Sequence, residues 1–327
     1  MSLLINGQLK DDWFASEHQE GEFVRQDSQF RNWVTTDGRP GPSGEGGFIA
    51  EPDRYHLYVS YACPWAHRTL IFRKLKRLES IISVDVVHPH MSASGWEFGG
   101  FPGATNDSVN GAHFLFENYL RAQPDYTGIV TVPVLWDKQQ QTLVNNESSE
   151  IIRMLNGAFD AWGDPTVDCY PPHLRAEIDA VNADIYENIN NGVYRAGFAT
   201  TQSAYENAFH RLFDALDRLE QRLAGQRYLA GNQITEADWR LFPTLLRFDP
   251  VYVGHFKCNR NRVHDFANLS NYLRDLYQQP GIADTVNLQH IKEHYYWSHT
   301  SLNPSRIVPL GPQIDLRAPH DRARFSA

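Results

Sequence analysis

The 327-residue sequence predicts an α/β domain followed by an all-helical domain. Two observations carry this. The first half alternates short β-branched and aromatic runs with amphipathic runs, giving strand–helix–strand and then strand–strand–helix. From about Pro172 onward the apolar residues recur only at helical spacing.

In the first half, Arg54–Ser60 (RYHLYVS) reads as a strand. Ala66–Leu78 (AHRTLIFRKLKRL) carries Leu70, Ile71, Leu75 and Leu78 on one face, which predicts a helix. Its basic run RKLKRL reads as the wet face. Pro64 suits the first helical turn, where a missing N–H costs nothing. Ile81–Val87 is a second strand, closing a βαβ unit. Ile129–Trp136 (IVTVPVLW) is a strand interrupted by Pro133, which calls for a strand edge, a bend or a cis bond. Gln141–Val144 is a short strand. Glu147, Ser148 and Ser149 then open a helix with Ile151, Ile152 and Leu155 on its apolar face. This order is that of a thioredoxin-like domain. The stretch Asn156–Pro172, rich in Gly, Pro and Asp, marks the break, so the domains are 1–160, with an N-terminal extension, and 172–327, with a C-terminal extension.

In the second half, Ala176–Asn190 and Ala204–Leu223 read as helices, the latter stopped by Gly225. Thr235 with Asp238 forms a capping-box variant that starts another. The tail Asn287–Pro312, with Tyr295, Tyr296, Trp297, Ile307 and Leu310, is too aromatic to be a free solvated end. It covers either a second copy or its own chain.

Composition excludes several functions. A net charge of −9 gives no basic face for nucleic acid. No apolar run approaches a membrane span. The start, MSLLINGQLKDDWF, lacks the basic and apolar regions of a secretory signal. Three cysteines, Cys63, Cys169 and Cys258, make no disulfide framework and suit a reducing cytoplasm.

Cys63 is the chemical focus. Residue 66 is Ala, so there is no C-x-x-C dithiol. His67 alone is too little for zinc, and no metal is expected. Cys63 instead sits at a helix N-terminus, where free N–H groups and the helix dipole favour a thiolate and a lowered pKa. The competing reading is a packed, inert cysteine. Glu147 and Ser148 open the other helix N-terminus of interest, an anion site as well as an ordinary cap. His88–His90 (HPH) reads as a solvated turn, and Cys169 and Cys258 as structural.

Five motifs carry a resemblance. FRNWVTTDGRPGPSGEGGFIAEPDRYHLYVSYACPWAHRTL, GWEFGGFPGAT, NNGVYRAGFAT, RFDPVYVGHFKCN and HYYWSHTSLNP, spread from Phe30 to Pro304, resemble the Xi-class glutathione transferases, the glutathionyl-hydroquinone reductases. The motif YLAGNQITEADWRLFPTL is likewise similar to the helical half of the glutathione transferase fold. The resemblance implies that Cys63 attacks the sulfur of a glutathionyl-hydroquinone and is left as a mixed disulfide with glutathione, which a second glutathione resolves. A monothiol site needs such an external thiol. It implies Tyr194 as the acid that protonates the leaving carbon, with Tyr252 and Tyr295 beside it. Tyr296, adjacent to Tyr295, is the competing assignment. It implies glutathione contacts at Trp96, along the backbone of Ile129, Val130, Thr131 and Val132, and at Glu147 and Ser148.

One departure stands out: the family often has Arg where this sequence has Ile129. Contact there falls to the main chain, and Arg68 or Lys138 become the candidate cations for the glycyl carboxylate. The resemblance also implies a homodimer. Two other functions fit the motifs less closely: a broader omega-like thiol transferase or dehydroascorbate reductase, and a binding module without catalysis.

Overall fold

The computed structural model describes residues 2–10 and 18–325. Met1 and residues 11–14 of the stretch weighed above as a signal lie outside the described residues, as do 15–17 and 326–327.

The chain opens with a hairpin, β1 (Ser2–Ile5) and β2 (Gln8–Lys10), turned at Gly7 with φ +74°. A two-residue pair, β3 (His18–Gln19) and β4 (Glu22–Phe23), follows. The central sheet then begins with β5 (Tyr55–Val59), every residue of which is buried. A strand covered on both faces needs no polar alternation, which explains the continuous run YHLYV. Helix α1 (Pro64–Leu75) leads to β6 (Ser83–Val86), parallel to β5. An insertion after β6 carries helix α2 (Leu115–Ala122), an addition to the expected elements.

The expected strand 129–136 is two strands. β7 (Gly128–Val130) pairs with β1, whereas β8 (Val134–Asp137) pairs antiparallel with β5. Pro133 has no N–H for a ladder, so the chain breaks there, at a cis Val132–Pro133 bond. β9 (Thr142–Asn145) completes the sheet in the order β6-β5-β8-β9, and helix α3 (Ser148–Gly157) follows.

Beyond residue 172 the elements are α4 (Arg175–Ile185), α5 (Gly192–Phe198), α6 (Gln202–Gly225), α7 (Glu236–Arg247), α8 (Ala267–Tyr277) and α9 (Leu288–Ser298). The Thr235 N–H donates to the Asp238 carboxylate at 2.7 Å, closing the expected cap. The helix read over 176–190 is α4 followed by a π turn, Tyr186–Asn190. A second π turn, Phe248–Tyr252, follows α7. Such turns re-aim the side chains after them, and each here precedes or contains a tyrosine of the site.

Helix α1 packs between α3 and α7. Its basic run is the expected wet face only in part: the Arg77 side chain is 80% exposed, but Lys76 is not. Lys76 is 1% exposed, its ammonium donating to Asp160 at 2.7 Å and to the Val167 carbonyl at 2.8 Å. Arg73 donates to the Ile82 carbonyl at 2.6 Å. The cationic tips reach polar partners while their stems cover apolar surface.

The tail folds back on its own chain through α9. His294 and Tyr295 are buried, whereas Ile307 and Leu310 are 70% and 98% exposed. The HPH segment is not a free turn either. His90 stacks on Trp297 at 4.2 Å and meets Glu293 at 2.7 Å, and the Pro89 carbonyl accepts from His294 at 2.8 Å.

Candidate active site

A cavity lies between the central sheet and the helices. Its lining draws on Cys63 and Trp65 of α1 and its cap, Trp96, the Thr131–Pro133 loop, Glu147 and Ser148, Tyr194 of α5, and Tyr295 of α9.

Cys63 is the N-cap of α1, with extended φ/ψ of −75° and 122°. Its thiol donates to the Val132 carbonyl at 3.4 Å, just before the cis proline. The lowered pKa expected from the helix terminus does not hold. Burial pushes the Cys63 thiol up, and this outweighs the Ala66 and Trp65 N–H groups and the charges of Arg247 and Arg25, which favour the thiolate. The helix terminus acts as anticipated, but the cavity walls remove more solvation than it returns.

Two phenols, those of Tyr194 and Tyr295, share the cavity with the thiol. The hydroxyls of Tyr194 and Tyr295 are 2.6 Å apart, and those of Tyr295 and Tyr252 are 3.1 Å apart. Tyr194 and Tyr295 line the cavity; Tyr252, fully buried, lies behind them. Burial raises all three above the ordinary phenol value, so they hold their protons at neutral pH. Tyr296 points elsewhere, its hydroxyl donating to the Pro250 carbonyl at 3.2 Å.

The other end of the cavity is polar. Glu147 caps α3 by accepting the Ser149 N–H at 2.9 Å. Burial would raise this carboxyl, but Ser149, Arg68 and Arg240 hold it below the usual range. Trp96 is 3% exposed and stacks on His294, and its buried Nε1–H has no hydrogen-bond partner. Trp96 is part of the cavity lining, and a buried donor without a partner beside a cavity calls for one, such as a ligand oxygen.

Thr131 and Val132 line the cavity, but Val130 does not; it is buried in the sheet, paired with β1. Ile129 faces a small adjoining depression shared with Arg25, Thr131 and Asn146. Arg68 is not in the lining. It sits behind Ser148, donating to the Ser148 Oγ at 3.3 Å and to Asn190 at 3.0 Å. Burial lowers it to about 9, so it stays charged at neutral pH. Lys138 lies just after β8, at the far end of the strand from Val134, and is absent from the lining.

Sequence reasoning missed Arg25, the cation that does line the cavity among the described residues. Its guanidinium carbon lies 4.8 Å from the Tyr194 ring centroid and 5.0 Å from that of Trp65. Its Nε donates to Asn191 at 3.0 Å, and its Nη2 is buried without a partner. His299 was also missed; it lines the cavity and is held neutral by burial. Arg25 carried no local signal; His299, the C-cap of α9, lies in the motif HYYWSHTSLNP, but nothing in that motif picks it out from its neighbours.

A cysteine capping the first helix of a thioredoxin-like unit, facing a helical domain across this cavity, defines a glutathione transferase of the cysteine type. Residues 62–158 match the glutathione S-transferase N-terminal domain family and residues 202–275 the C-terminal domain family. The chain is 58% identical to glutathionyl-hydroquinone reductase YqjG of Escherichia coli K12, over 98% of both chains. It is 52% identical to glutathionyl-hydroquinone reductase PcpF of Sphingobium chlorophenolicum, over 95% of this chain and 96% of that one. Among solved structures, glutathione-bound YqjG of Escherichia coli K-12 aligns with a TM-score of 0.90 at 57% identity, covering 98% of each chain. The Xi-class transferase of Natrialba magadii aligns with a TM-score of 0.91 at 49% identity, covering 99% of this chain and 97% of that one. The chain belongs to the Xi-class glutathione transferases, the family of the glutathionyl-hydroquinone reductases.

Proposed function

We propose that the protein reduces glutathionyl-hydroquinones to hydroquinones, with glutathione as second substrate. The observation that carries this reading is one cavity holding a lone helix-cap thiol and a protonated, hydrogen-bonded phenol pair.

The thiolate form of Cys63, which the Ala66 and Trp65 N–H groups and Arg247 favour against the cost of burial, attacks the glutathionyl sulfur. The carbon–sulfur bond breaks, its electron pair stays on the ring carbon, and Tyr194 supplies the proton. Carbon is reduced, and the two sulfurs are oxidised to a Cys63–glutathione disulfide. A second glutathione thiol then attacks the glutathione sulfur of that disulfide. Its proton returns to the Tyr194 phenolate, oxidised glutathione leaves, and Cys63 is again a thiolate. Tyr295 holds the Tyr194 hydroxyl, and Tyr252 holds Tyr295. The buried Trp96 N–H, the Val132 main chain, Glu147 and Ser148 bind glutathione, Glu147 meeting its amino group.

The chain works as a homodimer in the cytoplasm. Exposed Ile307 and Leu310 support the dimer. Cysteines free of disulfides, and a cycle that consumes reduced glutathione, support the compartment. Among the described residues no helix is long and apolar enough to cross a membrane. Light scattering that finds only monomer at micromolar concentration would remove the dimer.

Turnover of a glutathionyl-hydroquinone panel beside small mixed disulfides tests the reaction. Cys63→Ala abolishes turnover of the hydroquinone conjugates and leaves the protein folded. Cys169→Ala and Cys258→Ala retain it, because burial keeps both thiols protonated. Turnover of mixed disulfides alone would point to a general thiol transferase. Near-normal activity in Cys63→Ala would end the mechanism.

A further inference from the structure

Arg247 ends α7, in the helical domain, and is fully buried. It reaches across the domain boundary to the residues that present the nucleophile. Its Nη2 donates to the Tyr61 carbonyl at 2.9 Å and its Nε to the Ala62 carbonyl at 2.8 Å. Its Nη1 donates to the Pro243 carbonyl at 2.8 Å and lies 3.2 Å from His67 Nδ1. Every one of these partners is neutral: three are carbonyls, and burial together with the Arg247 charge keeps His67 unprotonated. No carboxylate is among its hydrogen-bond partners in the described residues.

A buried cation is ordinarily matched by an anion, because desolvating it alone is costly. Among the described residues, groups of the reaction that can become anions lie within reach of its charge. The field of Arg247 favours the charged form of Cys63 and of Tyr194, Tyr252 and Tyr295. The π turn after Arg247 also ends in Tyr252, so one short segment grips the Cys63 turn at one end and the phenol cluster at the other.

We propose that Arg247 is a positioning residue for the reaction: it fixes the Tyr61–Ala62 turn that presents Cys63, and it is the buried counter-charge of the Cys63 thiolate. This rests on the thiolate chemistry proposed above. The groups facing Cys63 are Arg247 and Arg25 as cations, with Tyr194 as the phenol that feels its charge.

The test reads the thiol directly, without any quinone substrate, so it stands apart from the assay of the reaction. The rate of iodoacetamide addition is followed across pH, with the Cys63 adduct located by mass spectrometry. In Arg247→Met the ionisation midpoint of Cys63 rises by about 1 pH unit or more, the usual effect of losing a nearby opposite charge. Turnover at pH 7 falls by about tenfold or more and recovers as pH rises. Arg247→Lys keeps the charge and loses the planar fork, so its midpoint stays within about 0.5 unit while turnover falls. A merely structural arginine would lower turnover equally at every pH and leave the midpoint in place; that result in Arg247→Met overturns the proposal. If Arg247→Met does not fold, a rise of a full unit in Arg247→Lys overturns it. In the unsubstituted protein the Arg247 Nε resonance shifts with the same midpoint as the ultraviolet absorbance of the thiolate. A resonance that stays flat through that midpoint overturns the proposal without any variant.

Discussion

The hydroxyl of Tyr194 lies 2.6 Å from that of Tyr295, and the two residues come from helices whose positions in the chain are 101 residues apart. Burial and the adjacent Cys63 charge both raise Tyr194, so it holds a proton at neutral pH, as the proposed acid step requires. Tyr194→Phe keeps the ring and removes only that proton. The first step then slows by about 10²–10⁴-fold. Reduction of a simple mixed disulfide, which protonates no carbon, falls much less. Single-turnover measurements on both substrates across pH decide it. Equal losses on both, restored at high pH, would make Tyr194 a modulator of Cys63 and not the acid. Tyr295→Phe removes one hydrogen bond from Tyr194, and the same step slows by about tenfold.

Arg25 stacks on the ring that becomes a phenolate when Tyr194 gives up its proton. Its charge also favours the Cys63 thiolate. Arg25→Met is expected to lower kcat/KM for glutathionyl-hydroquinones by about tenfold, near 1.4 kcal/mol, in the range for a cation held over an aromatic face. Arg25→Lys recovers part of the loss. Unchanged kinetics in Arg25→Met would reduce the residue to a cavity wall.

The bare indole N–H of Trp96 gives a test of glutathione binding. Trp96→Phe preserves a ring to stack on His294 and deletes the donor. KM for glutathione is expected to rise by about 5–10-fold, the loss of one hydrogen bond, with the melting temperature little changed. A KM that does not move would place glutathione elsewhere in the cavity.

Asp85 supplies a stability test remote from the chemistry. The Ser108 N–H and hydroxyl each donate to its carboxylate at 2.7 Å, and His56 Nε2 lies 3.2 Å away. Burial alone would raise this carboxyl, but His56 and Ser108 overcome it and hold it at about 2. A depressed folded value stabilises above the unfolded value of about 3.9, and that contribution is lost as pH falls from about 4 toward 2. Asp85→Asn is therefore expected to cost about 1–2 kcal/mol at pH 7, with the gap between the two proteins closing at about pH 2. Urea unfolding at several pH values measures it; a gap independent of pH would assign the cost to packing.

Much of this was legible locally. The βαβ order, the cap at Thr235 and Asp238, the break at Pro133 and the place of Cys63 at a helix start all follow from residues within a few positions of one another. Such features depend on hydrogen bonds and backbone preferences that a short segment satisfies by itself. The tyrosines and glutathione contacts were named through family resemblance, and periodicity alone would not have picked them from 15 tyrosines.

What tertiary structure decided is how faces meet. Helical spacing says that α9 has a buried side, but its rotation against the π turn of Tyr252 selects Tyr295 over Tyr296. Within the run RKLKRL, Lys76 looks solvated until the fold buries it against Asp160 and the Val167 carbonyl. Arg25 and Arg247 reach the site from distant parts of the chain; Arg247 opens the motif RFDPVYVGHFKCN, but nothing in either segment says that it meets the Cys63 turn. The Cys63 thiol shows the same limit. The sequence supplied the helix terminus that favours its charge, and the packing of two domains supplied the desolvation that opposes it. Desolvation depends on every wall of the cavity at once, so no segment of the sequence encodes it alone.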